Sequence, residues 1–422
     1  MRAAPSQEEV RRHNLGTLLR HVHLRGPTSR AELTSRMGLN RSTIGALTAD
    51  LIAAGLVTEE VPRDHGRAGR PSLVVTPQAE RVYAYAFSLE VDRVVAARVG
   101  LGGVVLDRRE LARPRGERPA IKVVAPFAEF VRESEKSVGK RGVCVGGAVA
   151  VTPMARLEDG EVRLCEPGAL DEPFAAAIAE ALADTRGTVP PLAVRSTAGL
   201  AALAEHARGV AVGCDNVVYL HGDAGVSGGI IAGGRPLTGH GGHGGEVGHM
   251  VVNPQGRPCT CGSRGCWETE IGERALLREA RRPDTGGRDA VAALLREAAA
   301  GSPTALAAME SVGTWLGVGL AGLINIFNPS RIVLGGLFAR TYPYLAETVR
   351  LELDRRALFP ARRLVDITSA RLGDDSELMG AVELAFAPVL ADPTIVPVRD
   401  PDRAADRGGA ARAVVASDPA PA

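Results

Sequence analysis

Residues 249–268 read HMVVNPQGRPCTCGSRGCWE and hold three of the chain's six cysteines. His249, Cys259, Cys261 and Cys266 offer one imidazole and three thiolates, a donor set suited to a closed tetrahedral zinc site. Gly262 and Gly265 would let so short a loop wrap back on an ion. Four protein donors leave no open position for water, so the expected cofactor is one structural Zn2+ per chain and not a hydrolytic one. The alternative is a set of buried thiols beside a histidine. Cys144, Cys165 and Cys214 have no such company and are expected to be small core residues.

A second set of side chains suits a nucleic acid. NRSTIGALTADL carries Asn40, Arg41, Ser42, Thr43 and Gly45 on one side and Ile44, Leu47 and Leu51 on the other. A helix beginning at Asn40 or Ser42 and ending before Gly55 would turn its apolar side inward and offer the polar one to a major groove. Upstream, NLGTLLRHVHLRG spaces Leu15, Leu18, Leu19 and Val22 along one helix face. TSRAELTSRMGLN opens with Ser29 three residues before Glu32, the spacing of a capping box, and breaks at Gly38. Downstream, LVTEEVPRDHGRAGRPSLVVTP has two β-prone runs about a loop with Arg63, Arg67 and Arg70. This order predicts a winged helix-turn-helix over residues 10–76. Asn40, Arg41, Ser42 and Thr43 would sit at base edges of double-stranded DNA, and Arg67 and Arg70 in a minor groove or at phosphates. The alternative is a small helical interaction domain whose arginines are merely solvated.

Both sets need a larger scaffold. The chain has 422 residues, 45% of them hydrophobic, more than one domain of ~100–200 residues and enough to bury a sizeable core. No run of ~18 apolar residues goes uninterrupted, which argues against a membrane span. The opening MRAAPSQEEVRRHNL lacks the apolar stretch of a secretory signal, so a cytoplasmic location with reduced thiols is expected. Residues 1–76 hold eleven arginines, no lysine and seven acids, a net +4, which leaves −3 for the remainder of a chain of net +1. A basic head on a slightly acidic body fits a DNA-binding module carrying a separate sensor.

From residue 80 to 388, β-prone runs such as RVVAARVGLGGVVLDRREL, RGVCVGGAVAVTP, NVVYLHGDAGVSGGIIAGG and SRIVLGG alternate with helical runs such as EPFAAAIAEALADT and TWLGVGLAGLINIFNP. Such alternation predicts an α/β protein, and two sets of it predict two lobes, 80–195 and 196–388, with the final helix free to return to the first lobe. Residues 389–422, rich in Pro, Ala, Asp and Arg, are expected to be a disordered tail.

GGIIAGGRPLTGHGGHGGEVGHMVV followed by CTCGSRGCWE resembles the signature of the ROK family of repressors and sugar kinases, and the likeness extends over most of residues 80–388. With the winged-helix head, the chain is similar to the repressor branch over residues 10–388. The resemblance implies an actin-like, two-lobed fold of the ribonuclease H-like, sugar-kinase type behind the head. It also implies sugar contacts by Glu246, His249 and Glu268, whose oxygens and ring nitrogen suit vicinal hydroxyls.

Departures from the family pattern are equally specific. ROK kinases carry a Glu-Asn-Asp run whose Asp is the base on the sugar hydroxyl; VRSTAGLAALAE fits that frame with Ser196 and Thr197 in place of Asn and Asp, and threonine cannot be that base. The kinases' first phosphate loop falls on SLEVD, where Ser88 replaces an Asp and Glu90 and Val91 replace glycines; a carboxylate there repels phosphate. GDAGVSGG keeps a glycine loop with Asp223 and Ser227. EPGALDEP has Glu166 and Ala169 where many relatives place Asn and Trp. No catalytic residue is therefore expected. The reading is a transcriptional regulator, most simply a repressor of carbohydrate-metabolism genes. Its partners would be a palindromic operator, a sugar or sugar-derived effector between the lobes, and a second copy of itself in a homodimer or homotetramer. Two other readings stand beside it: a ROK sugar kinase with a regulatory head, and a zinc-stabilised regulator without a small ligand.

Overall fold

A computed structural model of the chain describes residues 6–61, 72–112, 120–138, 142–151, 155–158, 161–164, 183, 191–283 and 286–397. Two compact units result, one of residues 1–78 with 389–422 and one of residues 79–388.

The head's helices start where capping side chains are available. Helix α1 (Gln7–Arg25) begins with a full capping box: the Glu9 amide donates to Ser6 Oγ at 3.1 Å, and the Ser6 amide donates to the Glu9 carboxylate at 2.6 Å. After β1 (Thr28–Ser29), α2 (Arg30–Met37) ends at Gly38, whose φ of 64° is left-handed. Only half of the box expected here forms. The Glu32 amide donates to Ser29 Oγ, but the Glu32 carboxylate takes Arg36 at 2.8 Å, one helical turn on. Helix α3 (Arg41–Ala53) is capped by Asn40. Strands β2 (Val57–Glu60) and β3 (Val74–Pro77) pair antiparallel, and β1 joins the other edge of β3. Leu15, Leu18, Leu19, Val22, Leu33, Ile44, Leu47 and Leu51 are all buried, so the helical spacing of apolar residues in the sequence is the spacing of the core. The loop with Arg63, Arg67 and Arg70 lies outside the described residues.

The body contains one sheet plan twice. Strands β4 (Val82–Leu89), β5 (Arg93–Gly100) and β6 (Val104–Ala112) form an antiparallel meander. Helix α4 (Ala120–Val138) precedes β7 (Val143–Val151); a small hairpin, β8 (Ala155–Glu158) with β9 (Glu161–Leu164), precedes β10 (Leu192–Ser196). Strands β7 and β10 add in parallel beside β4, giving the order β10-β7-β4-β5-β6. All eight residues of β4 are buried, as a central strand covered on both faces requires.

Helix α5 (Thr197–Ala207) follows directly and the plan repeats. The meander is β11 (Val217–Gly222), β12 (Val226–Ala232) and β13 (Arg235–Pro236). Four helices come next, α6 (Glu268–Ile271), α7 (Glu273–Glu279), α8 (Gly287–Ala299) and α9 (Pro303–Phe327). Then β14 (Arg331–Gly336), α10 (Leu337–Arg356), α11 (Phe359–Arg362) and β15 (Asp366–Ser369) complete the order β13-β12-β11-β14-β15. Helix α9 is long and apolar enough to cross a bilayer by length and composition, yet most of it is buried inside the protein. Its apolar face belongs to one core with Trp267, Phe338, Leu345 and Val349.

Helix α12 (Ser376–Ala391) returns to the first sheet. Ser88 Oγ donates to the Glu377 carboxylate at 3.1 Å, and a Cβ at Gly380 would lie 1.8 Å from the Leu200 carbonyl oxygen. Its last turn belongs to the head unit, where Val389, Leu390 and Val396 are buried and Leu390 O approaches Gly16 of α1. The disordered tail expected from residue 389 is corrected accordingly. Residues 389–397 are folded because those three apolar side chains, diluted in the composition of the tail, have a core to enter; 398–422 lie outside the described residues.

Candidate metal centre and ligand pocket

The segment after β13 is folded onto itself by two isolated antiparallel bridges, Val251 with Cys266 and Pro258 with Arg264. Gly262 and Gly265 have φ of 90° and 73°, and a Cβ at Gly265 would fall 1.7 Å from the Asn253 carbonyl oxygen. The glycines therefore do what their positions in the sequence demanded. One donor atom each from His249, Cys259, Cys261 and Cys266 come within 4.8 Å of one another. Cys261 Sγ is 3.6 Å from Cys266 Sγ, and Cys259 Sγ is 3.6 Å from His249 Nδ1. A tetrahedron with metal–sulfur bonds of ~2.3 Å has edges of about 3.8 Å, so the four groups fit around one metal ion. Trp267 holds the cluster to α9: it is fully buried, its Nε1 donates to the Trp315 carbonyl at 2.7 Å, and Gly319 leaves space for its ring. Cys144 and Cys214 stand apart, packed on core clusters; Cys165 lies outside the described residues.

A cavity of about 520 Å³ adjoins the cluster, lined by Glu246, His249 and Glu268. The three residues that the family resemblance assigns to sugar are thus brought together. Glu268 Oε1 lies 3.0 Å from Cys259 Sγ and 3.9 Å from His249 Nδ1, so this carboxylate touches cluster and cavity at once. With Nδ1 turned to the cluster, Nε2 is the ring nitrogen left for a ligand. Burial pushes the Glu246 carboxyl above its ordinary range. Other walls come from β7 (Val151), β10 (Val194 to Ser196), α5 (Leu200, Leu203), β12 (Val226 to Ile230) and, through Leu384, α12.

The positions of kinase chemistry are occupied differently. Ser196 caps α5 by accepting from the Gly199 amide at 3.1 Å and lines the cavity, whereas Thr197 is buried. On the side expected to receive phosphate, Glu90 is buried with both carboxylate oxygens 2.8 Å from Arg93 Nε. Arg288, brought in by α8, donates to Glu90 at 2.6 Å and lies 3.7 Å from Asp92 and 3.4 Å from Asp374. Burial, then the neighbouring Glu90, holds Glu377 well above the usual carboxylate range. Burial also raises Asp223 to about 6 and lowers His221 to about 4. The loop that the family resemblance assigns to phosphate is thus held by the protein's own ion pairs.

In the head, Asn40 Oδ1 accepts from the Thr43 amide at 2.8 Å and from Ser42 Oγ at 2.7 Å. Asn40 and Ser42 therefore set the start of α3 besides standing on its outer side, while Arg41 is exposed beside them. Arg67 and Arg70 lie outside the described residues.

Residues 88–387 match the ROK family. The chain belongs to the ROK family. Ahead of the ROK domain, residues 16–68 match the MarR family, in agreement with the winged helix-turn-helix. Over 386 residues, 89% of the chain and 95% of the relative, the protein is 24% identical to the xylose repressor of Bacillus subtilis (strain 168). It is also 24% identical over 385 residues, 89% of this chain and 92% of the relative, to the DNA-binding transcriptional dual regulator NagC of Escherichia coli (strain K12). Among solved structures, a ROK family transcriptional regulator, homolog of the E. coli MLC protein, shares the fold with a TM-score of 0.71 at 24% identity, covering 91% of this chain and 97% of that one.

Two residues of the ROK domain escaped sequence reasoning. Arg195 lines the cavity, and its signal was present as the residue before Ser196 in VRSTAG. Arg288 reaches Glu90 across 198 positions of sequence, and no local pattern announces that contact.

Proposed function

We propose that this protein is a sugar-responsive transcriptional regulator, most simply a repressor of carbohydrate genes, and not an enzyme. The observation that carries the proposal is the retention of Glu246, His249 and Glu268 on one cavity while buried Thr197 holds the place of the kinase base. In this account a single Zn2+ held by His249, Cys259, Cys261 and Cys266 fixes the loop, and Glu246, His249 Nε2 and Glu268 take the effector's hydroxyls. The chemistry of the zinc is structural. Arg41, Thr43 and the outer edge of α3 read the operator, with Arg67 and Arg70 at the backbone or minor groove. Two heads in a homodimer would match a palindromic site.

Helix α12 offers a route from ligand to head. Leu384 lines the cavity, and the same helix ends in residues that belong to the head unit. An effector that favours one position of α12 shifts the population of DNA-competent heads by its difference in affinity for the two states. The test is release of an operator, selected from a randomised duplex library, across a panel of pentoses, hexoses, amino sugars and their acid and phosphate forms. Release by at least one compound supports the proposal; an operator affinity indifferent to every member removes the effector from it. A second arm adds ATP and magnesium to the panel, and formation of any sugar phosphate would restore the kinase reading.

A further inference from the structure

The cavity carries an arginine for which the described protein supplies no acidic partner. Arg195, the penultimate residue of β10, lines the cavity on the side of α5. Its Nη1 donates to its own residue's neighbour, the Val194 carbonyl, at 2.7 Å. No carboxylate lies within salt-bridge distance of it among the described residues, whereas arginines such as Arg93, Arg98, Arg208 and Arg288 of the same body are each paired with an acid. The start of α5, with the partial positive charge of a helix N-terminus, immediately follows it. The opposite chemistry lies on the metal-loop wall, where Glu246 and Glu268 are acceptors for hydroxyls.

We propose that the effector of this pocket is an acidic carbohydrate, a sugar bearing a carboxylate or a phosphate, whose hydroxyls meet Glu246 and Glu268 and whose anionic group pairs with Arg195. The inference rests on the proposed function of the same cavity. Charge fixes the orientation: an anion beside Glu246 and Glu268 is repelled, whereas a planar guanidinium can take two oxygens of a carboxylate or phosphate. A neutral sugar would leave Arg195 solvated and gain nothing from it. Carboxylate and phosphate share this chemistry, and the size of the group that fits decides between them.

Isothermal titration of the zinc-loaded full chain tests the inference with matched sets: D-glucose, D-glucuronate and D-glucose 6-phosphate, the corresponding galactose set, and D-xylose with D-xylonate and D-xylose 5-phosphate. At least one acidic member should bind at least tenfold more tightly than its neutral parent, and Arg195→Gln should abolish that advantage while zinc content and melting temperature stay unchanged. Whether the carboxylate or the phosphate form leads identifies the source of the charge. Neutral parents binding as tightly as their acids, or an advantage that survives Arg195→Gln, overturns the acidic effector and leaves the sugar-responsive regulator standing. Failure of every member to bind overturns the acidic effector, and the sugar-responsive regulator falls with it when the wider operator-release panel also gives no response.

Discussion

The two halves of the ROK cleft have been treated in opposite ways. On the side that the resemblance assigns to sugar, Glu246, His249 and Glu268 line a cavity beside a loop whose donors could hold a metal. On the phosphate side, Glu90, Arg93 and Arg288 satisfy one another, with Asp92 and Asp374 close by. Both halves are rich in charge; in the first it lines a cavity, and in the second the described acids and arginines pair with one another. In the proposed function, this contrast is what would let the fold keep recognition of a sugar without transfer to it.

The largest effect is expected from the metal loop. Cys266→Ser removes a fully buried donor and should eliminate bound zinc and cost at least about 3 kcal/mol of stability, read by zinc analysis and thermal denaturation. A variant without zinc that melts like the parent would show that the cluster does not shape the sugar side.

Gly319→Ala sharpens the same point without touching a donor. Its Cβ would lie 2.1 Å from the Trp267 ring, so the substitution should cost about 2–3 kcal/mol by overpacking. Zinc should remain bound while ligand affinity falls. Full ligand affinity would mean that the anchor of Trp267 on α9 is irrelevant to the cavity.

On the phosphate side, Arg288→Ala takes one of two guanidiniums from buried Glu90. Because Arg288 is partly exposed and Arg93 remains, a loss of about 1–2 kcal/mol is expected, less than for a fully buried pair. No ATP turnover should follow with any sugar, since the base is still missing. Turnover in this variant would mean that the ion pairs alone suppress a kinase.

The smallest effect concerns pH. His221, lowered from 6.5 to about 4, loses stability for the fold as pH falls through that window, because the unfolded chain takes the proton first. Asp223, raised from 3.8 to about 6, loses stability as pH rises through nearly the same window, because the native state holds its proton longer. The opposed slopes should leave a net contribution below about 1 kcal/mol between pH 4 and 6. In His221→Asn the Asp223 slope should emerge, with stability falling as pH rises; chemical denaturation across that range measures it, and a rising curve would assign the wrong group.

Local spacing explains what the sequence revealed. The four candidate donors lie within eighteen residues, so their types and the glycines between them sufficed to foresee the cluster that the fold brings together. The core face of α3 was likewise legible from Ile44, Leu47 and Leu51, each buried. What escaped depends on chain returns. Arg288 meets Glu90 only because α8 is carried to the loop after β4, and Val389, Leu390 and Val396 fold only because a second core receives them. The half-formed box at Ser29 records a competition that spacing cannot decide, between an amide and Arg36 for one carboxylate.

The central claim is that the cavity beside the metal loop governs the grip on DNA. Fluorescence anisotropy of a labelled operator, selected from a randomised library, should give equal affinities for the parent and Glu246→Gln without ligand. Addition of the sugar found by the panel should weaken the parent at least tenfold and leave Glu246→Gln on the DNA. A variant released as readily as the parent would contradict the account.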